Sequence, residues 1–138
     1  MFGFNSVSLD HQGRLAIPAK YRAHLIENEE SKIVITKEPQ YPSLKLYHCS
    51  QWQIIASELE SLQGLDPIVR NLQWTILGNA SVIDFDATGR MLVLIPRELR
   101  KYADIKDEKQ ISLIGMGNKF EIWNVNNWEM RQTGGSLS

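Results

Sequence analysis

The five residues DHQGR (10–14) have a counterpart in DATGR (86–90), and the step from Asp10 to Asp86 is 76 positions. Each stretch reads Asp-x-x-Gly-Arg, and an apolar residue stands directly before it. Glycine permits a tight turn because it has no Cβ, and aspartate favours turns through hydrogen bonds from its side chain to the backbone. The recurring motif therefore predicts two equivalent turns in one chain.

The two motifs belong to a longer internal repeat. The segment LKLYHCSQW (44–52) is similar to FEIWNVNNW (120–128), again at a spacing of 76 positions. Matches this far apart at one spacing indicate a duplicated module. We predict two repeats, residues 1–63 and residues 64–138, which together form one compact unit.

The spacing rises to 78 positions in the middle of each repeat, because RMLVLIP (90–96) has two residues more than RLAIP (14–18). Two residues is the side-chain period of a strand, so this insertion can leave each side chain on its own face, whereas a shift of one residue would invert the faces. The longer strand 91–95 can thus keep the faces of its counterpart, or it can alter the strand register or the packing of the helix that follows. The spacing returns to 76 because the loop GMGN (115–118), predicted as a hairpin turn, is shorter than EPQYPS (38–43).

Hydrophobic periodicity predicts a mainly β chain with peripheral helices, of the α+β class. A short helix is expected after Pro18, whose fixed φ suits a first helical position. Ser50 is the predicted N-cap of a second helix. Asp66 and Pro67 begin a linking helix that ends at Gly78. The predicted strands are RLAI, KIVIT, LKLYH, VIDF, MLVLI, QISLI and KFEIW.

The acid–base pair in each motif has a plain chemical use. Asp10 can hold the guanidinium of Arg14 by a charge-assisted hydrogen bond, and Asp86 can hold Arg90 in the same way. An oriented arginine is the commonest reader of guanine in the major groove, and it also binds phosphate. The alternative is an ordinary turn with a surface ion pair of little energetic value. The residues predicted to shape the turns are Gly13 and Gly89.

Positive charge collects around both motifs and the helices that follow them, although the chain as a whole is not basic; residues 84–101 hold four basic side chains and three carboxylates. The 138 residues include 15 Lys and Arg against 16 Asp and Glu, which argues against a general polyanion binder. Residues 1–26 nevertheless hold three basic side chains and one carboxylate. We therefore add Lys20 and Arg22 to the predicted DNA contacts. Solvated faces of short helices would produce the same pattern.

The sequence offers no pattern typical of an enzyme. His11, His24 and His48 are scattered, and no spacing typical of a metal site or a phosphate-binding glycine loop occurs. We predict no catalytic residue, no metal, no cofactor and no small-molecule substrate. The single cysteine, Cys49, cannot form an internal disulfide, and no apolar run reaches the roughly 18 residues of a membrane span. A cytoplasmic protein without membrane contact is expected.

Four aromatic residues occupy equivalent positions in the two repeats: Tyr47, Trp52, Trp123 and Trp128. Aromatic side chains can stack on the bases of a single-stranded nucleic acid. Their equivalence between repeats favours core packing instead, because a duplicated fold needs the same apolar contacts twice. We expect these rings to pack within the protein.

These residues resemble the MraZ family. The resemblance rests on MFGFNSVSLDHQGRLAIPAKYR (1–22), on DATGR followed by IPRELRKYA, and on GNKFEIWNVNNW (117–128), and it covers nearly the whole chain. It implies two SpoVT-AbrB-like repeats that form a swapped-hairpin β-barrel around a pseudo-two-fold axis. It also implies a ring-shaped homo-oligomer whose two turns bind double-stranded DNA.

The DNA targets implied by the resemblance are short G-rich repeats in the promoter of the division and cell-wall gene cluster. The implied outcome is repression of transcription by a protein associated with the nucleoid. Gln12 departs from the family, which often has lysine before the glycine, and one phosphate contact is lost with it. A ring would bind through many modest contacts at once. The alternative is a ring-forming scaffold that binds proteins and does not read DNA.

Overall fold

The structure, a computed structural model, describes residues 2–26, 32–63, 65–85 and 91–134. The strands in these ranges are β1 (Phe2–Ser8), β2 (Arg14–Ala16), β3 (Lys32–Lys37), β4 (Ser43–His48), β5 (Ser81–Asp84), β6 (Leu92–Leu94), β7 (Gln110–Met116) and β8 (Phe120–Trp123). The helices are α1 (Arg22–Leu25, preceded by a 3-10 turn at Ala19–Tyr21), α2 (Cys49–Ser61), α3 (Pro67–Leu72), α4 (Arg97–Tyr102) and α5 (Val125–Gly134). The predicted mainly β, α+β class is confirmed.

Six strands form one antiparallel sheet in the order β1-β7-β8-β4-β3-β5, and β2 pairs with β6 in a second, two-stranded sheet. The equivalent strands of the two repeats are β1 and β5, β3 and β7, and β4 and β8. Exchanging the two members of every pair gives the same strand order, counted from the opposite edge of the sheet. Strand β1 pairs with β7 of the other repeat, and β5 pairs with β3. Strands from both predicted repeats therefore lie in one sheet, while the division into repeats and a closed swapped-hairpin barrel stay predictions.

The main core lies between one face of the large sheet and the inward face of β2 and β6. Strand alternation places Ile33 and Ile35 of β3 on this face, where both are fully buried. Phe120 of β8 is also fully buried, and its ring meets Tyr21 edge to face at 4.8 Å between centroids. Each such side chain contributes about 1.5–3 kcal/mol through burial alone.

The two extra residues of the second repeat leave the faces of β6 unchanged, which is the first of the two alternatives that the sequence left open. Met91, Val93 and Ile95 are buried, whereas Leu94 is exposed. Val93 lies opposite Leu15 in the ladder between β2 and β6. The N–H of Ile95 donates to the carbonyl of Gly13 at 2.9 Å, so the longer strand reaches the first turn.

The opposite face of the large sheet is covered by helices through aromatic contacts that are equivalent in the two repeats. The rings of Tyr47 and Trp52 are 5.8 Å apart, and those of Trp123 and Trp128 are 5.5 Å apart. Tyr47 and Trp123 are buried, and their partners on α2 and α5 are half-buried. The prediction that these rings pack within the protein is confirmed.

The ends of the helices match the sequence prediction in one case and differ in another. Asp66 caps α3, since its Oδ1 accepts from the N–H of Ile68 at 2.8 Å. Ser50 is not the N-cap of α2, because the helix begins at Cys49. The N-cap is His48, whose Nδ1 accepts from the N–H of Ser50. A π-helical turn at Gln73–Leu77 follows α3 and was not predicted; Gly78 ends it as expected.

Asp104 ends α4 in the left-handed conformation, with φ of 57°. We expect Asp104→Gly to raise the free energy of unfolding by about 0.5–1 kcal/mol, because glycine relieves a strain that exceeds its extra unfolded-state entropy. Urea unfolding measures this change. Asp107→Gly is the control, since Asp107 has no positive φ and its replacement should not stabilise the protein. A loss of stability in Asp104→Gly would contradict the prediction.

Candidate functional site

The first motif forms a closed turn between β1 and β2. Leu9 and Leu15 face each other in a β-bridge, the N–H of Asp10 donates to the carbonyl of Arg14 at 3.0 Å, and the N–H of Gly13 donates to the carbonyl of Asp10 at 3.0 Å. Gly13 has φ of +87°, a conformation that side chains with a Cβ rarely adopt. The turn therefore requires glycine at this position.

The carboxylate of Asp10 organises both the backbone and the arginine of the turn. Its Oδ1 accepts from the N–H of Gln12 at 3.0 Å and from the N–H of Arg14 at 2.8 Å. Its Oδ2 accepts from the Nε of Arg14 at 2.8 Å. The predicted contact between Asp10 and Arg14 is thus present, while the role of this pair in binding DNA stays a prediction.

The same hydrogen bonds keep the carboxylate of Asp10 ionised. The backbone N–H of Arg14 is the largest cause that lowers the pKa of Asp10 below its usual value, and the Arg14 side chain and the N–H of Gln12 act in the same direction. Partial desolvation opposes them without reversing the shift. The turn therefore holds a charged Asp10 beside a charged Arg14.

Because its pKa is lowered on folding, Asp10 stabilises the folded protein above the unfolded-state pKa, and this contribution is lost as the pH falls through the folded-state pKa. We expect Asp10→Asn to cost stability at neutral pH, and we expect the difference from wild type to shrink as the pH falls below 3.8, the ordinary carboxyl value. Urea unfolding over this pH range measures the difference. A difference that stays constant with pH would show that the ionised carboxylate is not the stabilising group.

Arg100 also belongs to this site, although it is not among the site residues predicted from the sequence. It lies on α4, in the other repeat, and its guanidinium is packed against Gly13. The only feature of the sequence that pointed to Arg100 is its match with Arg22 in the first repeat, at a spacing of 78 positions. Nothing in that match shows that the helix of one repeat contacts the turn of the other.

The remaining predicted residues are not joined to this turn in the described part of the chain. Lys20 is exposed, and its ammonium lies 5.0 Å from the ring centroid of Tyr21. Arg22 is half-buried, and its Nε has no hydrogen-bond partner among the described residues. The second motif, with Asp86, Gly89 and Arg90, lies outside the described residues. The roles of all these residues stay predictions.

A comparison with known families identifies the chain. The family model described as "MraZ protein, putative antitoxin-like" matches residues 1–71 and 76–133. The chain belongs to the MraZ family. Relatives from Legionella pneumophila (strain Corby), Hydrogenovibrio crunogenus and Idiomarina loihiensis are each named Transcriptional regulator MraZ. They are 40%, 41% and 44% identical to this chain, over 94%, 92% and 91% of its length and 83%, 81% and 80% of theirs.

A groove of about 570 Å³ lies beside the first turn of this MraZ-family chain. Residues 8–11 and 106–110 line this groove. The N–H of Leu9 donates to the carbonyl of Lys109 at 2.9 Å, which ties the loop to the turn. The groove contains lysines and carboxylates in similar number, so it has little net attraction for phosphate.

The described residues of this MraZ-family chain contain no group of three or more His, Cys, Asp or Glu side chains that could hold a metal ion. Cys49 is half-buried at the start of α2 and forms no disulfide among the described residues. Within the same ranges, no helix has both the length and the apolar character needed to cross a membrane.

Proposed function

We propose that this MraZ-family protein is a sequence-specific DNA-binding transcriptional regulator that represses the promoter of the division and cell-wall gene cluster. In this proposal, the arginines of the two motifs, Arg14 and Arg90, contact short G-rich repeats in double-stranded DNA. The name shared by the relatives supports the regulatory role. The observation that carries the proposal is the hydrogen bond from the Nε of Arg14 to Asp10.

This hydrogen bond orients the part of Arg14 that can read a base. Because Nε is occupied by Asp10, the two terminal nitrogens remain for a ligand, and no hydrogen bond joins them to other described residues. Two parallel N–H donors match O6 and N7 of guanine. The side chain is 42% exposed, so a base can reach it. An arginine held in place before binding also loses less side-chain entropy when DNA arrives.

The proposal includes a ring-shaped homo-oligomer, because a chain without net positive charge needs several such contacts at once. Strand β1 is at the edge of the large sheet, with its outer backbone groups unpaired in that sheet. Phe2 and Phe4 project from one face of this strand and are 79% and 54% exposed. Met116, opposite Phe2 on β7, extends the apolar patch. A patch of this kind at a sheet edge supports contact with another copy.

Replacing the exposed aromatic residues of this edge tests the assembly. We expect Phe2→Ser/Phe4→Ser to lower the mass of the oligomer in multi-angle light scattering, because the contact between copies loses its apolar centre. The control is Ile68→Ser/Trp74→Ser, which removes two exposed apolar side chains from the linking helix region. A full-size oligomer in the β1 variant would contradict the assignment of this edge to the interface.

The two repeats, residues 1–63 and 64–138, are proposed to form a swapped-hairpin barrel. The order of the large sheet supports this arrangement, because each repeat contributes its first strand to the other repeat. The antiparallel pair of β2 and β6 joins the repeats a second time. The proposed place of action is the cytoplasm, at the nucleoid, where the promoter DNA lies.

Fluorescence anisotropy with promoter DNA tests the proposed function. The probes are a duplex with the G-rich direct repeats and a scrambled duplex of the same composition, each at two salt concentrations. We expect preference for the promoter at both salt concentrations and weaker binding at high salt, since phosphate contacts release counterions. Equal affinity for the two duplexes, or binding to neither, would overturn the proposal and favour a protein partner for the turns.

A further inference from the structure

The space that Gly13 leaves open is filled by the guanidinium of Arg100. A Cβ at position 13 would lie 2.4 Å from Cζ, 2.6 Å from Nε and 2.7 Å from Nη1 of Arg100. All three distances are far below van der Waals contact, so the guanidinium occupies the place of a side chain at this position. Position 13 thus requires glycine for two reasons: its positive φ, and the space that the guanidinium of Arg100 occupies.

Two hydrogen bonds that share Ile95 join α4 to the first turn. The Nε of Arg100 donates to the carbonyl of Ile95 at 2.9 Å, and the N–H of Ile95 donates to the carbonyl of Gly13 at 2.9 Å. Arg100 is half-buried, while Gly13 and Ile95 are buried. Arg100, Ile95 and Gly13 therefore form a clamp between α4 and the first turn.

The guanidinium of Arg100 is held by a hydrogen bond to a carbonyl and not by an ion pair. No carboxylate among the described residues forms an ion pair with Arg100, and the nearby acidic residue of α4, Glu98, pairs instead with Lys101 at 3.7 Å. The hydrogen bond to Ile95 therefore fixes the guanidinium beside the turn.

We propose that Arg100 is a positioning residue of the first DNA-binding turn and that it acts across the boundary between the two repeats. This inference rests on the proposed function, in which Arg14 reads DNA. Gly13 precedes Arg14 in the chain, lies against the guanidinium of Arg100, and accepts a hydrogen bond from the N–H of Ile95. The direction of the Arg14 side chain depends on this support as well as on Asp10.

The first test measures DNA specificity in Arg100→Met, which keeps the aliphatic stem and removes the guanidinium. We expect the preference for promoter over scrambled DNA to fall about tenfold, because part of the discrimination of an arginine–guanine contact is lost. Arg97→Met is the matched control: it removes the same charge from an exposed position on the same helix and should keep the preference. Unchanged specificity in Arg100→Met would overturn the proposal.

A double-mutant cycle with Arg14→Ala separates positioning from direct contact. If Arg100 acts through Arg14, Arg100→Met has little further effect on specificity in the Arg14→Ala background, and the salt dependence of binding is the same with and without the Arg100 guanidinium. Two results together would overturn the positioning role: additive losses of promoter preference in the double variant, and a slope of log affinity against log salt concentration that is smaller by about one without the guanidinium. They would show that Arg100 itself contacts a phosphate.

A second cycle tests the clamp without DNA. Gly13→Ala should lower the thermal unfolding midpoint less in the Arg100→Ala background than in wild type, because only the backbone strain remains once the guanidinium is gone. An equal decrease of the unfolding midpoint in both backgrounds would show that the guanidinium does not occupy the space at position 13 and would overturn the proposed clamp. If wild type shows no promoter preference, the proposed function fails, and this cycle still decides whether Arg100 supports the turn.

Discussion

Arg14→Ala is expected to weaken binding to the G-rich promoter repeats by about 100-fold or more, while binding to scrambled DNA falls much less. One bidentate contact between arginine and guanine provides about 1–3 kcal/mol of discrimination. In an oligomer that engages at least two DNA repeats, the substitution removes this contact at each of them, and the losses multiply. Anisotropy titrations with both duplexes, at one salt concentration, measure the two affinities.

Arg14→Lys separates the reading of guanine from the attraction to phosphate. Lysine keeps the positive charge but has no planar pair of donors, and it has no Nε–H for Asp10 to hold. We therefore expect Arg14→Lys to retain most of the affinity for scrambled DNA and to lose the preference for the promoter. Arg70→Ala is the control for charge, since Arg70 is exposed on α3 and packs on Trp74. Promoter preference that survives in Arg14→Ala would exclude this arginine as the reader.

Deleting the single residue Leu94 is expected to destabilise the protein by at least about 4 kcal/mol, a large part of the stability of a small domain. The deletion changes the phase of β6 by one residue. Either Ile95 or the pair Met91 and Val93 must then leave the core, although all three are buried in the wild-type protein. Helix α4 begins two residues after Ile95, so it would also be rotated on the core.

Deleting Val93 and Leu94 together is expected to be less harmful than deleting Leu94 alone. The double deletion restores the length of the first repeat and keeps Met91 and Ile95 on the inward face. Its cost is chiefly the lost burial of Val93, about 1.5–3 kcal/mol, and one hydrogen bond between β6 and its partner. Urea unfolding followed by circular dichroism measures both variants. If the variant with the single deletion is as stable as the variant with the double deletion, the two-residue side-chain period of β6 does not determine which of its side chains are buried.

Much of the local structure could be predicted because its causes are local. The turn at 10–14 follows from the chemistry of aspartate and glycine at fixed spacing, and the contact of Asp10 with Arg14 spans only four residues. The faces of β6 follow from the period of a strand. The cap of α3 follows from Asp66 and Pro67. The cap of α2 was misjudged because His48, a residue of low capping propensity, ends β4 with its Nδ1 near the helix start, and the helix begins there.

Local patterns in the sequence predict two repeats with an Asp-x-x-Gly-Arg motif in each, and the period of a strand accounts for the faces of β6, because periodicity and turn chemistry act between near neighbours. They do not account for β3 and β7, whose central residues are buried on both faces. The pairing of β1 with β7 of the other repeat and the contact of Arg100 with Gly13 depend on how the chain folds as a whole. These contacts join residues far apart in the chain. They exist because the two repeats fold around one core, and no local preference of either partner determines which distant residue it will meet.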